Sequence, residues 1–409
     1  MKKLKDIALG IITAIGGFID AGAIVSSSQA GAQFRFSLLW VVVLSFFTIT
    51  LYVEMAARVA ISTRRALFDA VRERLGFRIA LLPLVTICLV NWLTIAAEIA
   101  GMAYALQMLT GWSYLAWAIP VTLLLWLILW KASFSLVENG SSLLGLFILV
   151  FVWSAFALHP PWHEIAGTMW KPDAHGQGFA LYGYSALALI GAYASPYQML
   201  FYSSGAIEEE WDESYRWPNR IIAFVGNLFG ACVAAAIIIV GAMVLNPHGV
   251  KVEQFSGASL GPNLALGAKG LWLFVAGLFF CSMAAGLETA LSGSYAVAEY
   301  FGWHWKKDEP PARSALFHLA YMGFLIASAG LVLTTLDPIK VTETAMVFNA
   351  ILLPFTLIPL MLVAGDKRYA RPPLTNGRFA RIAGWALAAL LTIAAPIGIV
   401  LYFVTGGGG

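Results

Sequence analysis

Two stretches decide the fold of this chain: Gly16-Gly17-Phe18-Ile19-Asp20-Ala21-Gly22-Ala23 and Gly191-Ala192-Tyr193-Ala194-Ser195-Pro196-Tyr197-Gln198. Each puts helix-weakening residues near the middle of an apolar segment. An Asp at the centre of a membrane helix costs roughly 2.5–3.5 kcal/mol on insertion scales, and a proline removes one helical hydrogen bond. A packing kink or a satisfied polar residue explains a single interruption. Two interruptions, in the first segment of each half of the chain, favour a transport site built from broken helices, with structural kinks as the alternative.

The composition predicts that the chain lies in a membrane. Of its 409 residues, 60% are hydrophobic and only 11% are charged, whereas a soluble domain carries roughly 25% charged residues. The net charge of +3 is too small to predict a nucleic-acid partner. We therefore predict an all-α membrane protein that is surrounded by the lipid bilayer.

Eleven apolar segments are long enough to cross a bilayer, which needs about 20 apolar residues per helix. They cover approximately residues 7–29, 37–57, 79–108, 113–131, 141–158, 180–206, 221–245, 269–300, 315–335, 343–364 and 380–404. The charged and turn-forming residues fall mostly in the loops between these segments.

The basic residues predict the orientation of the segments. With the N-terminus in the cytoplasm, only five of the 25 Lys and Arg residues fall on the far side of the membrane: Arg35, Lys171, Lys251, Lys269 and Lys340. Cytoplasmic loops of membrane proteins carry an excess of Lys and Arg. We therefore predict a multi-pass protein of a bacterial inner membrane with a cytoplasmic N-terminus.

Other polar residues inside the apolar segments are weaker signals. In the third segment, Asn91, Thr94, Glu98 and Gly101 share one helical face, and such a face points toward packed helices or a watery cavity. Glu288 lies inside the eighth segment. Structural pairing of Glu98 or Glu288 with another polar group is as good an explanation as an accessory role in transport.

Five further stretches are informative: residues 29–40 (QAGAQFRFSLLW), 54–58 (EMAAR), 97–101 (AEIAG), 292–296 (SGSYA) and 352–360 (LLPFTLIPL), the last followed by 366–368 (DKR). They resemble, in the same order, stretches of the Nramp family of divalent-metal transporters. The residues of the two interruptions, described below, most resemble its magnesium-transporting branch. Each match alone is a weak signal, but together they cover most of the chain.

The resemblance implies a leucine-transporter-like fold in a single transport domain, residues 1–409. Five helices in about 7–158 and five in about 180–364 would form an inverted repeat, and one extra helix would follow at about 380–404. The first and sixth helices would be broken, with the metal held between the breaks.

In the first broken helix, the family carries Asp-Pro-Gly-Asn where this chain has Asp20-Ala21-Gly22-Ala23. The resemblance implies that Asp20 is the carboxylate ligand of the metal. Ala23 stands where the family has an Asn ligand, and its methyl group offers no ligand atom. This position would line the site without binding the ion.

In the second broken helix, the family carries Met-Pro-His-Asn where this chain has Ser195-Pro196-Tyr197-Gln198. The resemblance implies that the Ala192 carbonyl is a backbone ligand and that Ser195 takes the place of the Met ligand. Tyr197 and Gln198 would line the site beside it.

These departures change the expected cargo. A Met thioether is a soft ligand that favours transition metals, whereas Ser195 offers a hard hydroxyl oxygen or room for water. Mg²⁺ keeps several waters and uses one or two carboxylates. We therefore expect Mg²⁺ as the preferred transported ion, with Mn²⁺ also carried, and no cofactor.

The expected proton route is altered as well. The family has an Asp three residues before Glu98, where this chain has Ile95. Its helix 6 His is replaced by Tyr197, which does not titrate near neutral pH. We therefore expect transport without proton coupling.

Three other functions stay open at this stage. They are a proton-coupled Mn²⁺ or Fe²⁺ importer, an amino-acid-type symporter on the same fold, and a membrane sensor or scaffold that binds a cation without passing it. The sequence has no nucleophile–base pair, phosphate loop or metal-hydrolase spacing, so an enzyme is not expected. No obligate protein partner is predicted.

Overall fold

The computed structural model describes residues 2–334, 337–371 and 374–407, and every regular element within those ranges is a helix. Nine helical spans in these ranges are long and apolar enough to cross a membrane. The first and sixth spans are in addition each divided into two shorter helices. These features confirm the predicted all-α membrane protein with about eleven spans and two broken helices.

The first half of the chain forms five spans and one short connecting helix. Its helices are α1 (Lys2–Phe18), α2 (Ala21–Phe34), α3 (Leu39–Thr63), α4 (Leu67–Leu75), α5 (Phe77–Thr110), α6 (Tyr114–Lys131), α7 (Ser141–Gly145) and α8 (Val150–Ala157). The fifth span, Leu136–Ala157, joins α7 and α8 through a π turn and a 3-10 turn.

The second half forms the other six spans. Its helices are α9 (Trp162–Thr168), α10 (Phe179–Tyr193), α11 (Pro196–Glu208), α12 (Arg216–Ile221), α13 (Asn227–Val244), α14 (Phe255–Leu266), α15 (Ala268–Phe301), α16 (Ala315–Leu333), α17 (Pro338–Leu352), α18 (Pro354–Ala364) and α19 (Arg378–Val404). The short helices α9 and α14 lie in connections that the sequence analysis treated as loops. The division into two repeats at residues 7–158 and 180–364 stays a prediction.

The tenth span differs from its prediction in two ways. It begins at Pro338 rather than near residue 343, because Asp337 caps α17 by accepting the N–H of Ile339 at 2.9 Å. It is also interrupted at Leu353, immediately before Pro354, whose ring cannot continue the helical hydrogen bonding of α17. The sequence analysis placed breaks only in the first and sixth spans.

Glycines let the broken helices approach their neighbours closely. A side chain at Gly191 in α10 would collide with the carbonyl oxygen of Met346 in α17, and one at Gly31 in α2 would collide with that of Ile238 in α13. Small residues at such crossings allow backbone-to-backbone packing inside a membrane. Helices α2 and α10 are therefore held against α13 and α17 over much of their length.

Two long helices, α5 and α15, pack against each other in the centre of the bundle. Each has 34 residues, and at about 1.5 Å per residue each exceeds the roughly 30 Å hydrocarbon core. Helix α19 is peripheral, and most of its side chains face outward. The breaks in the first and sixth spans are consequently surrounded by α5, α15 and α17 rather than by lipid.

Candidate functional site

The break in the first span is organised by Asp20. Helix α1 ends at Phe18, and Asp20 takes an extended backbone conformation as the N-cap of α2. Its Oδ1 accepts the N–H of Ala23 at 2.6 Å, which satisfies one of the open donors of a helix start. Its Oδ2 is fully buried and has no hydrogen-bond partner among the described residues. One carboxylate oxygen of Asp20 caps α2, and the other is available to bind a ligand.

A second carboxylate, from α5, contacts the same first turn of α2. Glu98 in α5 is fully buried, and its Oε2 accepts the N–H of Ala21 at 3.2 Å. Its Oε1 makes no hydrogen bond of normal geometry, although the hydroxyl of Ser282 lies close to it. Gly101, one turn along α5, allows this approach, because a Cβ there would lie 2.9 Å from the Cβ of Ala21. Asp20 and Glu98 therefore share the N-terminal turn of α2.

Two ionised carboxylates at this turn would need a cation to balance their charge. The N-terminus of a helix favours a negative charge, but its partial charge of roughly +0.5 does not balance two carboxylates. Buried charges in proteins are paired with opposite charges or coordinate a metal. The candidate ligands at this break are thus the free oxygens of Asp20 and Glu98, and Ala23 adds no side-chain ligand.

The break in the sixth span is organised by Ser195 and Pro196. Helix α10 ends at Tyr193, and Pro196 is the first residue of α11. Proline has no N–H, so the Ala192 carbonyl loses the donor that a continuous helix would supply four residues later. The Ser195 hydroxyl donates to the Gly191 carbonyl at 2.8 Å. A backbone oxygen and a hydroxyl oxygen are therefore presented together at this break.

The sequence analysis missed Asn349, a buried residue of α17 at this same break. Its Nδ2 lies 3.1 Å from Ser195 Oγ and 3.3 Å from the Gly191 carbonyl, and 3.5 Å from Thr94 Oγ1 in α5. Its Oδ1 has no hydrogen-bond partner among the described residues. An asparagine inside an apolar segment was the available signal, the same one that singled out Asn91.

The two breaks are in direct contact. The ring of Phe18, the last residue of α1, stacks on that of Tyr193, the last of α10, with 4.9 Å between centroids. The Tyr193 hydroxyl is hydrogen-bonded to Ser27 Oγ, and Ser27 donates in turn to the Ala23 carbonyl at 2.5 Å. The end of α10 is therefore fixed over the first two turns of α2.

The other predicted residues divide into two groups. Tyr197 and Gln198 are buried in the first turn of α11, beside Ser195. Asn91 and Glu288 contact other parts of the bundle. Asn91 donates to the Thr289 carbonyl of α15 at 3.3 Å, and Glu288 lines a small cavity that it shares with Gln198. The predicted polar face of α5 is buried throughout, but only its Thr94, Glu98 and Gly101 positions reach the breaks.

The residues at the breaks supply oxygen ligands of several kinds. Within residues 2–334, 337–371 and 374–407, no three His, Cys, Asp or Glu side chains are grouped as a metal cluster. The oxygen donors at the breaks are two carboxylates together with neutral hydroxyl, amide and backbone carbonyl oxygens, and the thioether of Met346 in α17 lies beside the first break. Oxygen donors of this kind suit hard divalent cations.

The family described as natural resistance-associated macrophage protein-like, abbreviated Nramp, matches residues 10–401 of this chain. The chain belongs to the Nramp family. The resemblance predicted from the five sequence stretches is thereby confirmed over nearly the whole chain.

Curated Nramp relatives cover almost all of this chain. The divalent metal cation transporter MntH of Levilactobacillus brevis is 23% identical over 413 residues, covering 94% of this chain and 86% of the relative. The protein of the same name from Mesorhizobium japonicum is 26% identical over 405 residues, covering 92% and 84%. These relatives are transporters, so Nramp membership makes this chain a multi-pass membrane transporter and not an enzyme, as predicted.

Solved structures support the same fold. The manganese transporter of Eremococcus coleocola, in complex with an aromatic bis-isothiourea compound, is similar with a TM-score of 0.77 at 21% identity, covering 96% of this chain and 85% of that one. Mhp1, a nucleobase-cation-symport-1 family transporter, is similar with a TM-score of 0.60 at 13% identity, covering 97% and 90%. The Nramp chain therefore has the predicted leucine-transporter-like fold.

Proposed function

We propose that this chain carries divalent metal cations across a bacterial inner membrane by alternating access, with Mg²⁺ as its preferred cargo. The observation that supports this most directly is the pairing of Asp20 and Glu98 on the first turn of α2, where each keeps a buried oxygen without a hydrogen bond. A divalent ion balances the charge of two carboxylates. The transporter names of the MntH relatives agree with this cargo class.

The preference for Mg²⁺ is argued from what the breaks lack. Ala23 provides no side-chain ligand. Ser195 provides a hydroxyl that donates to the Gly191 carbonyl and already accepts the Asn349 amide, which leaves one lone pair of its oxygen for an ion. An ion at Asp20 would therefore meet few strong protein ligands and would keep part of its water shell. Mg²⁺ loses its waters reluctantly and usually keeps several of them when bound, so such a site suits it better than a Mn²⁺ ion that has lost its waters.

We propose further that transport is an uncoupled, electrogenic uniport. Ile95 and Tyr197 stand where the family resemblance led us to expect titratable groups, so a proton relay has few members in the centre of the bundle. A potential of 100 mV drives a divalent ion with roughly 4.6 kcal/mol, about 2.3 per charge. That energy corresponds to an accumulation of about a thousandfold, which makes coupling unnecessary.

A proton-coupled Mn²⁺ importer is the second candidate, and one observation favours it. A Cβ at Gly22 would collide with the sulfur of Met346, so a soft thioether of α17 lies beside the break in the first span. Thioether ligands favour transition metals. Glu98 would then be the group that carries the proton.

One experiment separates the two candidates. Purified protein in proteoliposomes, with a trapped pH dye and a potassium-clamped potential, is supplied with Mg²⁺, Mn²⁺ or Ca²⁺. We expect Mg²⁺ uptake that follows the clamped potential without acidifying the lumen. Acidification driven by the metal would contradict the uniport, and so would uptake that follows a pH gradient but not voltage. Uptake of Mn²⁺ alone would contradict the Mg²⁺ preference.

The orientation is proposed from the basic residues, with α1 and α11 on the cytoplasmic side of the breaks. A cysteine placed at Lys3 in intact cells should resist a membrane-impermeant thiol reagent, whereas one placed at Lys171 should react. Reversed labelling would overturn this orientation.

A further inference from the structure

A small cavity lies on the α1 and α11 side of both breaks. Its volume is about 40 Å³. A single buried water needs roughly 10–15 Å³ of such space, so the cavity has room for more than one. The cavity is lined by Thr13, Ala14, Val53, Gln198, Phe201, Tyr202, Ala223, Asn227 and Glu288. Thr13 precedes the first break, and Gln198 belongs to the turn of α11 that begins at the second.

Glu288 is the only charged residue among those that line this cavity. Its side chain is 2% exposed, and its Oε1 has no hydrogen-bond partner among the described residues. The other polar residues that line the cavity are neutral, so no lining Lys or Arg balances the carboxylate, and the nearby Glu138 adds another acidic group. A buried carboxylate without a partner is costly, and ionisable residues inside membrane helices mark ion pathways.

A second glutamate of α15, the helix that carries Glu288, is an example of a carboxylate with a structural role in this protein. Glu299 is also buried in α15, but both of its oxygens are bonded. Oε1 accepts the Ser204 hydroxyl at 2.8 Å, and Oε2 accepts the N–H of Phe68 at 3.0 Å at the start of α4. Glu299 joins three helices, whereas Glu288 faces a space that water or an ion could fill.

The opposite side of the breaks has a different character. A cavity of about 140 Å³ there is lined by Gln29 and Gln33 of α2 and by both acidic and basic residues, among them Lys251, Lys340 and Glu343. Its charges are mixed, so it does not select strongly for a cation. Of these two cavities, only the one on the α1 and α11 side has a lining carboxylate without a lining Lys or Arg.

We propose that the Glu288 cavity is a second cation site, which holds a partly hydrated divalent ion between Asp20 and the aqueous face on the α1 and α11 side. Glu288 supplies the charge, and Thr13, Gln198 and Asn227 supply neutral oxygens or hold the waters of the ion. The inference rests on the proposed function, because it assumes that Asp20 holds the ion first. Glu288 then gives the ion a further carboxylate on the same route, beyond the pair formed by Asp20 and Glu98.

The test counts bound ions in the full-length, detergent-solubilised protein. Mn²⁺ serves as the probe because its electron paramagnetic resonance signal changes on binding, and Mg²⁺ serves as the competitor. The variants are Asp20→Asn, Glu288→Gln, the double variant and the matched control Glu299→Gln. Glutamine at position 299 can still accept from Phe68 and bond to Ser204, so the control should fold.

We expect two Mg²⁺-displaceable Mn²⁺ ions per parent chain, one in Asp20→Asn, one in Glu288→Gln and none in the double variant. Glu299→Gln should bind both. If Asp20→Asn and the double variant bind equally, the Glu288 site does not exist, while the proposed function stands provided that Asp20→Asn has lost transport. If Asp20→Asn binds and transports like the parent, the proposed function itself fails.

A second variant covers the case in which Glu288→Gln does not fold. Thr13→Val removes a hydroxyl from the cavity without changing the charge of the chain. In the Asp20→Asn background it should weaken the remaining Mn²⁺ binding, because one of the neutral oxygens that line the cavity is gone. Unchanged binding would overturn the proposed site.

Discussion

The backbone N–H of Ala21 donates to the Glu98 carboxylate at 3.2 Å, so α5 holds the first turn of the broken first helix. Replacing Glu98 with Gln keeps an oxygen for this bond and removes one negative charge from the break. We expect the half-saturating Mg²⁺ concentration of uptake to rise by at least about 10-fold, the lower end of the cost of losing even a group that only supports a metal ligand. An unchanged concentration would show that Glu98 serves only to hold α2.

Asp20→Asn tests the carboxylate that caps α2. Asn is as good an N-cap as Asp, so the bond to the Ala23 N–H and the fold should persist. Uptake of Mg²⁺ and of Mn²⁺ should be lost, because the charged oxygen is gone. The control is Asp212→Asn, an exposed cap that accepts the N–H of Ser214 at 2.8 Å. Parent-like uptake by Asp20→Asn, measured beside this control, would remove Asp20 from the site.

Ala23→Asn with Ser195→Met tests whether the absent ligands set the selectivity. The double variant should bind Mn²⁺ more tightly and transport Mg²⁺ more slowly, because it adds an amide oxygen and a soft sulfur. Both positions are fully buried, so overpacking should also lower stability by about 1–3 kcal/mol. Competition uptake of the two ions is the measurement, with Ser195→Ala as the control. Selectivity equal to that of the parent would point to pocket shape instead.

Asn349→Leu removes the amide that supports the break in the sixth span. Loss of the bonds to Ser195 and Gly191 should destabilise the protein by about 1–3 kcal/mol and raise the half-saturating Mg²⁺ concentration. Asn91→Leu is the matched control, since its amide bonds to the Thr289 carbonyl away from the breaks. It should lower the thermal midpoint without changing Mg²⁺ dependence. If both variants change uptake alike, the effect is one of stability alone.

Gln29→Ala tests whether the contact between α2 and α17 limits access to the site from the α2 side. Gln29 donates to Glu343 in α17 and to the Val252 carbonyl at 3.1 Å. Without it, a cysteine at position 23 should react faster with an impermeant thiol reagent, in a chain whose own cysteines are replaced. Gln33→Ala, one turn further along α2 and in the same cavity, is the control. Equal labelling rates would show that the contact does not limit access.

The fold was largely predictable because its signals are local. An Asp in a Gly-rich run and a Pro in an apolar run each weaken a helix wherever they occur, so both breaks were placed correctly. The interruption before Pro354 was missed; it is milder than the break at Pro196, because Leu353 keeps helical backbone angles whereas Ser195 is extended.

The site was less predictable because its contacts are distant in sequence. Asn349 and its partner Ser195 are separated by 154 residues, and no pattern in either segment joins them. Periodicity placed Asn91 and Glu98 on one face of α5 but could not show that they meet different helices. The roles of Asp20, Ala192 and Ser195 as ligands stay predictions until the variants are measured.

The hydrogen bond between Asp20 Oδ1 and the Ala23 N–H bears on how fast this protein can work. With Oδ1 engaged at the helix start, Asp20 presents chiefly Oδ2 to an ion. An ion held by one oxygen of Asp20 and one of Glu98 keeps part of its inner water shell, so fewer waters are stripped from Mg²⁺ at each passage. The turnover number should then be limited by the rocking of the helices, and should vary little between ions whose water exchange rates differ by orders of magnitude.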